Sequence, residues 1–387
     1  MYKKRLLFWV ACIGMLFFGI GLITLGSVAP DLKVKLHLDA IASGTLFSIL
    51  PLGILTGSLL FGPLVDKYGY KVLLAVSCVF MFTGFEGIAY SPSQGLLKIC
   101  IFLIGLGGGA INGATNALVA DISDKDKGAN LSLLGVFFGI GALGMPLVLG
   151  ILRNSLDFET IIATIGIMAL ASGIFFTLIK FPPPKQAQGF PITRGVTLLK
   201  DNVLILIAFF LFFQSSFEGI INNWTTTYLI DKLSIQQSYA LYGLSLFVAG
   251  MAIMRLLTGS LFRSVSTKKI LTVSFLLILL GLTFLKTGGS LYLAVTGLVL
   301  LGAGLAGGFP IMLGIVGSRF SELSGTAFSF VLFVALLGNI LINYGMGFIA
   351  QNFGIRHLTT VAFAETVILG VLCTIVLSKI NNKKYKD

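Results

Sequence analysis

Gly62-Pro63-Leu64-Val65-Asp66-Lys67-Tyr68-Gly69-Tyr70-Lys71 is a short charged stretch between two long apolar runs, at 41–62 and 72–91. Each run is close to the roughly 20 apolar residues that a helix needs to cross a bilayer. The stretch therefore reads as a polar turn between two membrane helices. Gly62 is expected to let two helices cross closely, and Asp66 to accept hydrogen bonds at a helix end. Lys67 and Lys71 are expected to hold the cytoplasmic edge.

The same alternation continues outward in both directions. Apolar segments at 6–28, 41–62, 72–91, 95–120, 130–153, 158–180, 202–230, 236–262, 267–286, 290–318, 322–350 and 356–379 make twelve predicted spans. Only 11% of the 387 residues are charged, and mean hydropathy is +0.99. Soluble domains carry about 25% charged residues, so a soluble globular fold is excluded and the chain reads as an all-α membrane protein. The first segment follows Lys3-Lys4-Arg5 and imitates a secretory signal ending near Ser27-Val28-Ala29. Its apolar stretch is too long for a signal core, and it is read as a retained helix.

The net charge of +12 acquires a meaning from its placement. Nineteen basic residues fall on the side of the chain termini, Arg255 lies within a span, and seven fall on the other side: Lys33, Lys35, Lys98, Arg153, Lys232, Lys286 and Arg356. The positive-inside rule then puts both termini in the cytoplasm of a multi-pass inner-membrane protein. The charge is a topology signal, and nucleic acid is not an expected partner. Cys12, Cys78, Cys100 and Cys373 sit unpaired in apolar runs, so neither a disulfide framework nor a metal site is expected.

Pro182 to Pro184 end the sixth span, because proline lacks the amide donor and crowds the preceding turn. They open a linker, 181–201, between an N-terminal bundle (1–180) and a C-terminal bundle (202–387). The halves repeat at an offset of 197 residues, which pairs Gly62 with Gly259, Lys71 with Lys268, Gly105 with Gly302, Gly107 with Gly304, Gly141 with Gly338 and Gly150 with Gly347. A parallel repeat of six spans is the layout of the major facilitator superfamily.

The turn at 62–71 resembles that superfamily's signature loop, G-x-x-x-D-[RK]-x-G-x-[RK], with Gly62, Asp66, Lys67, Gly69 and Lys71 in place. Tyr70 stands where a further basic residue is common. In the second half Arg263 replaces the acid and Ser266 the glycine. The resemblance implies alternating-access secondary transport, with a central cavity lined by the first, fourth, seventh and tenth spans. GLGGGAINGATNALV at 105–119, FFGIGALGMPL at 137–147, and Glu218 ahead of Trp224 and Tyr228 are similar to the fucose, galactose and glucose to proton symporter family. One departure stands out: that family's fucose transporters are thought to use an acid in the fourth span, which here offers Asn112 and Asn116.

Burying an Asp inside a span costs about 2.5–3.5 kcal/mol on insertion scales, so each intramembrane acid is a functional candidate. Glu86, Glu218 and Glu365 are the three. Residues four apart share a helix face, so Gln214, Glu218 and Asn222 form one polar stripe, continued by Thr225 with Asn223 and Trp224 adjacent. This stripe is the expected solute-binding face, with Glu218 coupling transport to a proton or sodium ion. Amides suit sugar hydroxyls, and Trp224 or a tyrosine offers a plane for a ring. The structural alternative is a hydrogen-bond network tying the seventh span to a neighbour. Asn112 and Asn116, and likewise Asn339 and Asn343, repeat the four-residue spacing as further candidate contacts or as interhelical clamps. Glu86 and Glu365 are expected to pair structurally, and Arg255 to snorkel or to stabilise a cytoplasmic gate.

His37 and His357 are both predicted outside the membrane, and no nucleophile elbow, phosphate loop or metal-ligand cluster is present. The expectation is a monomeric, cofactor-free transporter of a sugar-like solute in the lipid bilayer. A proton-driven drug or metabolite efflux antiporter is the alternative, suggested by GALGMPLVLG at 141–150.

Overall fold

In lipid no water satisfies backbone N–H and C=O groups, so apolar runs of this length close their hydrogen bonds inside helices. The computed structural model describes residues 2–123, 127–183, 201–259, 261–262, 265–320 and 324–384. Most of the expected linker (184–200), together with Arg263 of the second signature turn, lies outside the described residues. In chain order the helices are α1 (Lys4–Lys35), α2 (Ala40–Tyr90), α3 (Gln94–Ile122), α4 (Lys127–Leu152) and α5 (Phe158–Leu178). They continue as α6 (Asn202–Leu233), α7 (Gln237–Gly259), α8 (Thr267–Thr287), α9 (Leu291–Leu305), α10 (Gly308–Arg319), α11 (Ser324–Phe353) and α12 (Leu358–Lys384). Two compact units result. One comprises Met1–Gln188 with Gln236–Ser245, the other Gly189–Ile235 with Leu246–Asp387.

Among the described residues, eleven helical stretches are long and apolar enough to cross a membrane. One is α2, whose 51 residues would run about 76 Å as a straight helix, against a hydrocarbon core of about 30 Å. The chain leaves the helical conformation at Gly69, with φ 80° and ψ 165°. A side chain is strained at such a φ, which explains why the signature turn carries glycine there. The segment expected as one span at 290–318 is also interrupted. Pro310 lacks an amide donor for the Ala306 carbonyl four residues back, and α9 and α10 are separated at Ala306 and Gly307.

The repeat recurs as matched close approaches of helix backbones. In the first unit a Cβ at Gly105 would collide with the Leu50 carbonyl, and one at Gly107 would come within 2.6 Å of the Ser77 carbonyl. In the second unit a Cβ at Gly302 would collide with the Phe247 carbonyl, and one at Gly304 would lie 2.7 Å from the Ser274 carbonyl. Both members of each contact are displaced by the same 197 residues. The close crossing expected at Gly62 is not there: nothing lies within 4 Å of a Cβ at that position. It falls earlier in α2, at Gly53 and Gly57, against the carbonyls of Phe102 and Leu106 on α3. The turn is anchored instead by Tyr70, which is buried and donates its hydroxyl to Asp121 at 2.7 Å. Lys67 lies 5.0 Å from the ring of Tyr68.

Candidate functional site

The helix α6 is held at its start by Asp201, whose carboxylate accepts the Val203 and Leu204 amides and the Arg319 guanidinium at 2.8 Å. From there the helix presents two polar faces. On the first, the Gln214 amide donates to Glu218 Oε1 at 3.1 Å and to the Leu305 carbonyl at 2.9 Å. That carbonyl is the last of α9, at the interruption before α10. Arg255 on α7 brings its guanidinium to 3.6 Å from Glu218 Oε1. One turn further along α6, Asn222 Oδ1 is buried with no hydrogen-bond partner among the described residues, and so is the Thr225 hydroxyl.

Arg255 therefore does not snorkel away from the span: it meets the one acid of the polar stripe. Pairing offsets much of the cost of carrying either charge in the membrane. Glu218 keeps 20% of its side chain exposed and Arg255 38%. The result is a carboxylate and a guanidinium side by side, an amide donor engaged with the carboxylate, and an acceptor oxygen one turn away with nothing to accept. Such a set can bind hydroxyls, exchange a proton or hold a cation at the carboxylate, or present the guanidinium to an anion.

The second face of α6 carries hydrogen bonds to a neighbouring helix. Asn223 donates to Asn343 Oδ1 at 3.0 Å, and Asn343 donates to the carbonyl and side-chain oxygens of Asn339, each at 2.9 Å. Asn339 donates in turn to the Ser215 carbonyl at 3.0 Å. With Asn343 fully buried and Asn223 5% exposed, these amides form a clamp between α6 and α11. Trp224 is 2% exposed and so offers no open ring face. Glu365 on α12 is 3% exposed and takes the Ser216 hydroxyl on Oε1, the structural pairing expected of it. The pairing expected of Glu86 is not found among the described residues: its Oε1 is buried beside Gly166 without a hydrogen bond. In the first unit, Asn116 donates to the Asn112 carbonyl at 2.8 Å and to its side-chain oxygen at 3.1 Å. Both are half-buried, on a face of α3 shared with no acid.

Two partners escaped the sequence reading. Arg255 was the only base inside a span, which itself signals a partner acid, but the pattern left three acids to choose from. The Leu305 carbonyl carried only the signal of Gly302, Gly304, Gly307, Gly308 and Pro310 crowding one span.

The chain is 24% identical over 372 residues to the probable nitrate transporter NarT of Staphylococcus haemolyticus, covering 92% of this chain and 91% of that one. It is 24% identical over 349 residues to the glucose/mannose transporter GlcP of Bacillus subtilis, covering 86% and 85%. A crystal structure of the nucleoside transporter NupG matches with a TM-score of 0.81 at 17% identity, covering 97% of this chain and 99% of that one, a likeness of fold. Fold and relatives together define a multi-pass membrane transporter, not an enzyme. The family model of the Major Facilitator Superfamily matches residues 11–341, and the chain belongs to that superfamily.

Proposed function

We propose that this transporter takes up a neutral polyhydroxylated solute, a monosaccharide in the simplest case, coupled to a proton or sodium ion through Glu218. The observation that carries the reading is the polar face of α6, where Gln214, Glu218 and Asn222 share one stripe and Asn222 Oδ1 has no hydrogen-bond partner among the described residues. Kinship to a glucose/mannose transporter supports the same substrate class. Protonation of Glu218 removes the carboxylate charge that faces Arg255, so a proton taken up there releases the guanidinium from its partner and changes the electrostatics of the whole polar face. Glu365 is a poorer coupling group, because it is nearly inaccessible and already occupied by Ser216. We assign Asn223, Asn339 and Asn343 to positioning α6, and Asn112 and Asn116 to solute contact. Gly62, Asp66, Lys67, Gly69 and Lys71 are assigned to gating. The architecture we propose has twelve spans, with α2 contributing two on either side of Gly69. They form bundles at 1–180 and 202–387 joined by 181–201, in a monomer of the inner membrane with both termini cytoplasmic.

Arg255 favours one second reading. A guanidinium beside a releasable carboxylate is also a receptor for a small anion, and a probable nitrate transporter is among the relatives. Purified protein in proteoliposomes decides between them, with labelled glucose and nitrate offered under imposed proton or sodium gradients. Glu218→Gln is expected to abolish gradient-driven glucose accumulation while sparing exchange. Unchanged pH-driven uptake sinks the coupling assignment. Nitrate uptake without glucose uptake replaces the sugar reading with the anion one, and export of lipophilic cations alone replaces both.

A further inference from the structure

The repeat places a lysine at the end of the first helix of each unit, and the two lysines have different surroundings. In the first unit Lys35 donates to the Ala89 carbonyl and forms an ion pair with Glu159 at 3.0 Å. In the second, Lys232 stands 197 residues on and donates to the Lys286 carbonyl at 2.9 Å, the counterpart of Ala89. The counterpart of Glu159 is Arg356. The carboxylate that neutralises the lysine in one unit is thus a guanidinium in the other, and the neutral Ala89 has become a second lysine.

These three cations surround a cavity of about 520 Å³ at the ends of α6, α8 and α12, all within the second unit. Asp231 also lines it and is the one acid there, so the fixed charges leave an excess of two positive. His357 lines the same cavity, with Nδ1 buried and unpartnered among the described residues. The start of α12, with Thr359 and Thr360 in its first turn, adds the positive end of a helix dipole. In the first unit Arg153 is matched by Asp31 at 3.0 Å, and Lys35 by Glu159.

We propose that this cavity is an anion site whose ligand supplies the charge that Glu159 supplies in the first unit, and that the ligand is a phosphate group. An excess of two positive charges suits a phosphate better than a single carboxylate. Arg356 provides the planar fork that phosphate oxygens accept, and the volume exceeds what one carboxylate fills. Phosphate reaches such a site from a phospholipid headgroup or from solution, and the site lies where apolar span gives way to polar loop.

The test is thermal unfolding of the full-length protein in neutral detergent. One arm compares inorganic phosphate with chloride at equal ionic strength. The other compares nanodiscs of phosphatidylglycerol with nanodiscs of phosphatidylcholine. The expected result is a higher Tm in phosphate, in phosphatidylglycerol, or in both. The first alone identifies a soluble ligand and the second alone a lipid. Losing a charge-assisted hydrogen bond from Arg356→Gln or Lys286→Ala is expected to weaken the response about tenfold or more. Arg356→Glu restores the carboxylate of the first unit, so it is expected to raise Tm without anion and to abolish the response. Should Arg356→Glu fail to fold, the other two variants carry the test. No anion-dependent rise in either arm overturns the proposal, as does a wild-type response from both neutralising variants.

Discussion

Glu218 and Arg255 make sense only as a pair. Each alone would be an uncompensated charge inside a span, so Arg255→Gln leaves the carboxylate without its counter-charge. We expect that variant to lose gradient-driven uptake, and a second change, Glu218→Gln, to bring back folding yield without bringing back coupling. Uptake and purification yield of the single and double variants check this. Ser216→Ala strips Glu365 of the hydroxyl that donates to it, a loss of about 1 kcal/mol that a lowered Tm reports. Asp201 gives a pH dependence. Burial raises its pKa, but the Arg319 guanidinium and the Val203 and Leu204 amides outweigh that and hold it below the ordinary Asp range. A depressed folded-state pKa contributes stability above the unfolded value of about 3.9 that is lost as pH falls through the folded value. The stability gap between wild type and Asp201→Asn is therefore expected to be constant near neutrality and to shrink in acid below about pH 4, as pH-resolved unfolding will show. At this scale the stripe of Gln214, Glu218 and Asn222 was legible, because four-residue spacing in a helix is local information. The Arg255 partner was not, because depth along two helices distant in sequence is not.

Among helices, glycine does the positioning, and the structure separates glycines that look alike in sequence. Gly105 and Gly302 sit against carbonyls of a neighbouring helix, whereas Gly62 faces open space. Alanine at either of the first two positions is expected to cost about 1–3 kcal/mol through forced separation of the helices. Alanine at Gly62 is expected to be neutral or mildly stabilising, since alanine is the better helix former. Tm and expression level of the three variants check this. The reading of Gly62 failed because a signature glycine was credited with packing, when the conformational demand falls on Gly69 with its positive φ. The interruption between α9 and α10 was missed for a related reason. Glycines and Pro310 inside an apolar run are tolerated in many membrane helices, and the break shows itself only in the structure, where α9 stops at Leu305 and its carbonyl takes Gln214.

For the molecule as a whole, composition and the 197-residue offset carried the fold, because lipid as solvent leaves helices as the economical way to bury this much apolar chain. The charge asymmetry is the basis of the proposed orientation, which labelling can test directly. The native cysteines are all buried, so a membrane-impermeant maleimide has little background. A cysteine at Asn154, exposed between α4 and α5, is expected to react in intact cells, and one at Lys67 only after permeabilisation; the reverse pattern would invert the topology. The 197-residue offset pairs the glycines and shows where charges change between the units, but only the structure shows that the paired glycines meet equivalent carbonyls. Backbone contacts have few substitutes, whereas a charged loop end can be altered at small cost.

The short helix α10 is fastened to α6 twice. The Leu305 carbonyl just ahead of it takes Gln214, and Arg319 at its far end takes Asp201. The two attachment points on α6 are 13 residues apart, about 20 Å along its axis, close to the length of α10 itself. The half-span is thus a strut rather than a hinge. One of its pins is the same amide nitrogen that donates to Glu218, so a single side chain braces both the half-span and the carboxylate, and the cost of misplacing either falls on both.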